Sequence, residues 1–148
     1  MRRVGYVSGL ACIGHPAESR DATDDTGWYV HPDATIEAYA TVDSGTVQMT
    51  RVDADAWIFK HAHVGHDAHV MEGAEVSTGA VIGGHAIIGP HAKIGINATI
   101  LPWRVIGRRA RKHLLDERRA PHVAHQLRFR IGRCRRGLDE HDDFVDVR

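Results

Sequence analysis

The sequence predicts an all-β fold: a coil of short parallel strands, about four to five rungs deep, with a short helix and strand capping its C-terminal end. Three observations predict it. β-Branched aliphatics recur at every sixth position, at Val52, Ile58, Val64, Val70, Val76, Ile82, Ile88, Ile94, Ile100 and Ile106. Alanine follows four positions after each, from Ala56 to Ala98; the pattern breaks at Arg104 and returns at Ala110. Glycine comes directly after the aliphatic at Gly65, Gly83, Gly89, Gly95 and Gly107. A helix repeats at about 3.6 and a strand at 2, so neither sustains a period of six. Three short strands and three turns do, at about 18 residues per rung. The aliphatics then fill a narrow triangular interior, and alanine fits where two walls converge. Each rung pairs its backbone with the next at roughly 4.8 Å.

Each segment follows from that phase. Residues 1–29 precede it and are expected to cap the open start of the coil. The phase opens at Val30, Ile36 and Val42, with Ala34 and Ala40, so residues 30–111 are assigned to the parallel β-helix. Between Val42 and Val52 the interval is ten, six plus four, which requires a slip or bulge. Residues 107–119, GRRARKHLLDERR, suit a short helix ended by Pro121. Residues 127–133, LRFRIGR, alternate Leu127, Phe129 and Ile131 with arginines, as a half-buried strand does. Residues 112–148 thus form a basic cap over the last rung's unpaired backbone, followed by an acidic tail, LDEHDDFVDVR.

Composition fits one domain: 148 residues, 43% of them hydrophobic. Two cysteines, Cys12 and Cys134, supply neither a disulfide framework nor a zinc ribbon, which favours a reducing compartment. MRRVGYVSGLACIG lacks a small-residue cleavage site after its apolar run, so no signal peptide is expected. No run approaches the roughly 18 apolar residues of a membrane-spanning helix, and no membrane partner is expected. The net charge of zero hides a partition. Residues 1–103 hold 6 Lys/Arg against 12 Asp/Glu, residues 104–136 hold 12 against 2, and residues 137–148 hold 1 against 5. The basic run reads as a solvated cap pairing with the tail or a neighbour, or as a contact for the phosphates of coenzyme A or for an acidic carrier protein. Nucleic acid is not expected, because exposed stacking aromatics are too few. Trp103, in LPWR, reads as a packing residue that closes a rung.

Residues 61–70, HAHVGHDAHV, concentrate four histidines. A metal site, a catalytic base and a decorated scaffold compete for them. None lies at an inward position, and His63 and His69 fall on different walls, so one chain cannot gather all four around one ion. Stacking at about 18 residues places Asp67 beneath His85 and His66 beneath Gly84. A histidine beside a carboxylate is a general-base pair, since the carboxylate fixes the tautomer and stabilises the imidazolium. Gly84 leaves room for an N–H to approach a developing oxyanion. His61, His69 and His91 read as surface or interface residues.

Across residues 30–111 the pattern resembles the hexapeptide-repeat family, which implies a left-handed parallel β-helix. His63, Val64, Gly65, His66, Asp67, Ala68, His69 and Val70 further resemble the catalytic segment of its sugar-nucleotide acyltransferases, such as the UDP-N-acetylglucosamine acyltransferases of lipid A synthesis. That resemblance implies His66 as base, Asp67 as its orienting acid, His85 after Gly84 as a further catalytic histidine, and His63 as a substrate contact. It also implies acetyl-CoA or another acyl thioester as co-substrate, a sugar or sugar nucleotide as acceptor, and a cytoplasmic homotrimer. The chain departs from the lipid A enzymes in having fewer rungs and Leu101 near the position of a later histidine. The γ-class carbonic anhydrases match only at Gly65 and His66. Met71 and Glu72 stand where a histidine ligand and a glycine belong, so no metal is expected. The rival reading is a non-catalytic trimeric scaffold.

Overall fold

A computed structural model describes residues 5–17 and 25–112. Its strands come in threes. The first rung holds β1 (Tyr6–Val7), β2 (Cys12–His15) and β3 (Trp28–Val30). The second holds β4 (Thr35–Ile36), β5 (Thr41–Asp43) and β6 (Thr50–Val52), and the third β7 (Trp57–Ile58), β8 (His63–Val64) and β9 (His69–Val70). Then come β10 (Glu75–Val76), β11 (Val81–Ile82) and β12 (Ile87–Ile88), followed by β13 (Lys93–Ile94), β14 (Thr99–Ile100) and β15 (Val105–Ile106). A final strand, β16 (Arg111–Lys112), begins the next turn.

These strands stack into three parallel sheets. The first wall runs β1-β4-β7-β10-β13-β16, the second β2-β5-β8-β11-β14, and the third β3-β6-β9-β12-β15. The architecture is a left-handed parallel β-helix of about five turns, with no helix among the described residues. Val64 pairs with Ile82 and Ile82 with Ile100, as the 18-residue stacking requires. The six-residue aliphatics and their alanines form one continuous core, with Ile58, Val64, Ile82 and Ile88 fully buried. Close packing of such a column makes each aliphatic costly to truncate, by about 2–5 kcal/mol for isoleucine to alanine.

Two segments differ from the sequence reading. The stretch before residue 30, expected as a cap, contributes β1 and β2, which pair with β4 and β5 to form an irregular first rung. Residues 107–112, expected to open a helix, instead continue the coil: Lys93 N–H donates to Ala110 O at 2.8 Å and Gly95 N–H to Lys112 O at 2.6 Å. The reason is physical. GRRARK has good helix propensity, but the open edge of β13 offers ready backbone partners, and Ala110 and Lys112 keep the six-residue phase, Lys112 buried at 4% exposure. The remainder of the expected helix, the 127–133 strand and the acidic tail lie outside the described residues.

The ten-residue interval from Val42 to Val52 is an inserted loop between β5 and β6. Thr41 pairs with His63 across 22 residues, whereas His63 pairs with Val81 across 18. The loop therefore leaves the coil directly beneath the corner formed by residues 65–68.

A candidate active site at the second corner

His66 and Asp67 are the central pair of the turn joining β8 to β9, closed by the bond from Ala68 N–H to Gly65 O. Asp67 adopts φ +59°, as the third place of a type II turn demands, and aspartate tolerates that region better than most residues. Its N–H donates to Thr50 Oγ1 at 2.8 Å. This geometry aims the carboxylate into the inserted loop, where it is fully buried.

The loop is built around that carboxylate. Asp67 Oδ1 accepts the N–H groups of Thr46 at 3.0 Å, Val47 at 2.7 Å and Gln48 at 2.6 Å. Asp67 Oδ2 accepts the Thr46 hydroxyl at 2.7 Å and His66 Nδ1 at 2.6 Å. Gln48 Nε2 donates to the Asp67 carbonyl at 2.7 Å. Burial pushes the carboxyl toward its neutral form. The hydrogen bonds from His66, Gln48 N–H, the Thr46 hydroxyl and Val47 N–H together outweigh that, and hold it well below the usual carboxylate range. Asp67 is therefore ionised at neutral pH.

An ionised carboxylate only accepts, so the proton on the His66 ring resides on Nδ1 and the neutral ring carries its lone pair on Nε2. That nitrogen lies over Gly84: a Cβ there would sit 2.6 Å from it. A side chain at position 84 would therefore have to displace the imidazole. His85 meets His66 edge to face, centroids 5.2 Å apart at 87°, with its Nε2 3.5 Å from Asp67 Oδ2. Trp103 stacks on the His85 ring at 3.8 Å and 4°. The backbone ties the three rungs of this corner together, through His85 N–H to His66 O at 2.9 Å and Trp103 N–H to Gly84 O at 3.0 Å.

The structure brings His66, Asp67, Gly84 and His85 into one cluster and sets His63 beside it on the second wall. There His63 Nδ1 lies 2.7 Å from Thr41 Oγ1 and its Nε2 3.7 Å from Asp43. The other two histidines of the stretch go elsewhere. His61 stacks on Tyr39, and His69 Nε2 lies 2.5 Å from Asp53 on the third wall. His66, Asp67 and His85 could each offer a ligand atom within 4.8 Å of the others. Asp67 has nonetheless committed both oxygens to five donors, and His66 Nδ1 is one of them. A ligand at Oδ2 would compete with the Thr46 hydroxyl and His66 Nδ1, and as it stands the arrangement suits proton transfer.

Sequence reasoning missed Thr46, Val47, Gln48 and Thr50, the residues that hold Asp67. The signal was present in the ten-residue interval, whose displaced register places that loop under the 65–68 turn. Trp103 stands 18 residues after His85, and its stacking role was within reach of the same arithmetic.

No protein-family model matches the chain, and no curated protein matches it in sequence. Among solved structures it is similar to the UDP-N-acetylglucosamine O-acyltransferase (LpxA) of Moraxella catarrhalis RH4, with a TM-score of 0.51 and 19% identity over 74% of this chain. LpxA from Acinetobacter baumannii is also similar, with a TM-score of 0.43 and 18% identity over 73% of this chain. The chain spans less than half of either protein, 46% in each case. The Moraxella likeness, together with the six-residue phase of the strands, shows that this chain has the left-handed parallel β-helix fold of hexapeptide-repeat proteins.

Proposed function

We propose that the protein is an acyltransferase that moves an acyl group from a thioester, acetyl-CoA in the first instance, to a hydroxyl or amine of a sugar or sugar nucleotide. The observation that carries this reading is the 2.6 Å bond from His66 Nδ1 to a fully buried, ionised Asp67. The bond leaves Nε2 free to act as a base. The acceptor's proton passes to His66 Nε2 as its oxygen or nitrogen attacks the thioester carbonyl. The tetrahedral intermediate collapses, the carbon–sulfur bond breaks, and the thiolate recovers that proton from the imidazolium. Asp67 stays ionised throughout and stabilises the imidazolium. The Gly84 backbone is the candidate oxyanion partner, His85 flanks the base and His63 borders the acceptor. The proposed working form is a homotrimer in a reducing, cytoplasmic compartment; the LpxA likeness bears on the self-association alone.

Calorimetric titration with acetyl-CoA tests the reading. Saturable binding near one per chain supports it and justifies a screen of sugar nucleotides with thiol release as the readout. Absence of binding, combined with a stable trimer, would replace it with the scaffold reading, in which the β-helix is a rigid stalk.

A further inference from the structure

Trp103 is the most exposed aromatic side chain among the described residues, at 72%. It is also held in place. One face of its indole lies on His85 at 3.8 Å, its backbone N–H donates to Gly84 O, and its backbone is in the left-handed region at φ +64°. That conformation costs a non-glycine residue about 1 kcal/mol or more, and little burial compensates for it. A rung-closing packing residue would be covered, and this one is not. What the geometry secures is a flat, pre-positioned ring whose second face meets solvent, one rung beyond His85 and two beyond His66.

We propose that Trp103 is a stacking platform for the nucleobase of a substrate. An exposed indole face attracts planar heteroaromatic rings regardless of their hydrogen-bonding pattern, because every base has a π-face. The placement fits a two-part ligand. Rungs repeat at roughly 4.8 Å, so a base stacked on Trp103 lies on the order of 10 Å along the corner from His66. A phosphate-linked sugar or pantetheine arm spans such a distance. The base belongs either to a nucleotide-linked acceptor or to the adenine of coenzyme A. The proposal deepens the acyl-transfer reading by naming a nucleobase-bearing substrate, yet its test does not depend on turnover.

The test is the indole N–H spectrum of the full chain labelled with nitrogen-15. It contains Trp28, Trp57 and Trp103, and Trp103→Phe assigns the third. UDP, ADP and ribose 5-phosphate are titrated separately. The expected result is a saturable shift of the Trp103 resonance with at least one nucleotide and none with ribose 5-phosphate. A response to UDP alone assigns the acceptor, and a response to ADP alone assigns the donor. Trp103→Ala should weaken that nucleotide's binding by roughly 5- to 150-fold, the range of one base–aromatic stack, while Trp103→Phe retains most of it. A Trp103 resonance that ignores both nucleotides, or follows ribose 5-phosphate equally, overturns the proposal. A nucleotide response without any thioester binding would sustain the platform and remove the acyl-transfer reading instead.

Discussion

The three corners of the coil share one backbone and differ in what they do with it. At the first corner Tyr39, His61 and Asn97 take positive φ, and at the third Asp55, His91 and Arg109 do. In both, a polar side chain folds over a glycine of the preceding rung: Asn97 over Gly79, His91 over Gly73. At the second corner the order is reversed, with His66 lying against Gly84 of the following rung. A histidine lying on a glycine is therefore ordinary in this fold. What sets the second corner apart is the buried carboxylate of Asp67 and the loop whose N–H groups converge on it. His91 has no such carboxylate among the described residues, and no inserted loop stands beneath it. The repeat supplies the shape, and the departure from the repeat supplies the buried carboxylate and its donors.

That contrast can be broken most sharply at the dyad. Asp67→Asn keeps size and shape but offers an amide N–H to the carboxylate oxygen's place beside His66, which reverses the ring's tautomer and puts the proton on Nε2. Loss of turnover by about 10³–10⁴-fold is expected, the size of effect such a swap has in other histidine–carboxylate pairs, with thioester binding retained. His66→Ala should cost as much turnover and, because it removes the second donor on the buried Asp67 Oδ2, about 1 kcal/mol of stability. His91→Ala, the matching change at the third corner, should leave activity and stability within about 0.5 kcal/mol of the parent.

Glycine substitutions sharpen the same comparison at a lower level. In Gly84→Ala the new methyl would meet His66 Nε2 at 2.6 Å and push the ring from Asp67; steady-state rates should fall about 100-fold, as misplacement by about 1 Å commonly does. Ile82→Ala, in the core column shared by all three walls, should destabilise by about 2–5 kcal/mol in denaturant melts without singling out any corner.

Smaller effects concern the loop. Thr46→Val removes one of the two donors on Asp67 Oδ2 and should cost about 1 kcal/mol of stability, read as a shift in the urea midpoint. Acid titration gives the sign of the Asp67 contribution. Because its folded pKa is lowered, the stability it confers is complete above the ordinary carboxylate value of about 3.9, and is lost as pH falls below that toward the folded value. Asp67→Asn should flatten that part of the stability profile.

The fold was legible because the core columns depend on residue identity at a fixed spacing: Val52 through Ile106 declare the coil without reference to anything distant. The juxtaposition of His66, Asp67, Gly84 and His85 was legible for the same reason, since stacking register is simple arithmetic. The cradle was not. Thr46, Val47 and Gln48 act through backbone N–H groups, which any residue but proline supplies, so their identities carry no mark of the role. The strand at Arg111–Lys112 was misread because local helix propensity is visible in sequence and an open ladder edge is not.

The most direct test is thiol release from acetyl-CoA across a panel of sugar-nucleotide acceptors, run on the parent, Asp67→Asn and His91→Ala side by side. The dyad account predicts an acceptor-dependent rate that His91→Ala preserves and Asp67→Asn reduces to near background. An acceptor-dependent rate that survives in Asp67→Asn would show that the buried carboxylate and its loop serve the fold alone.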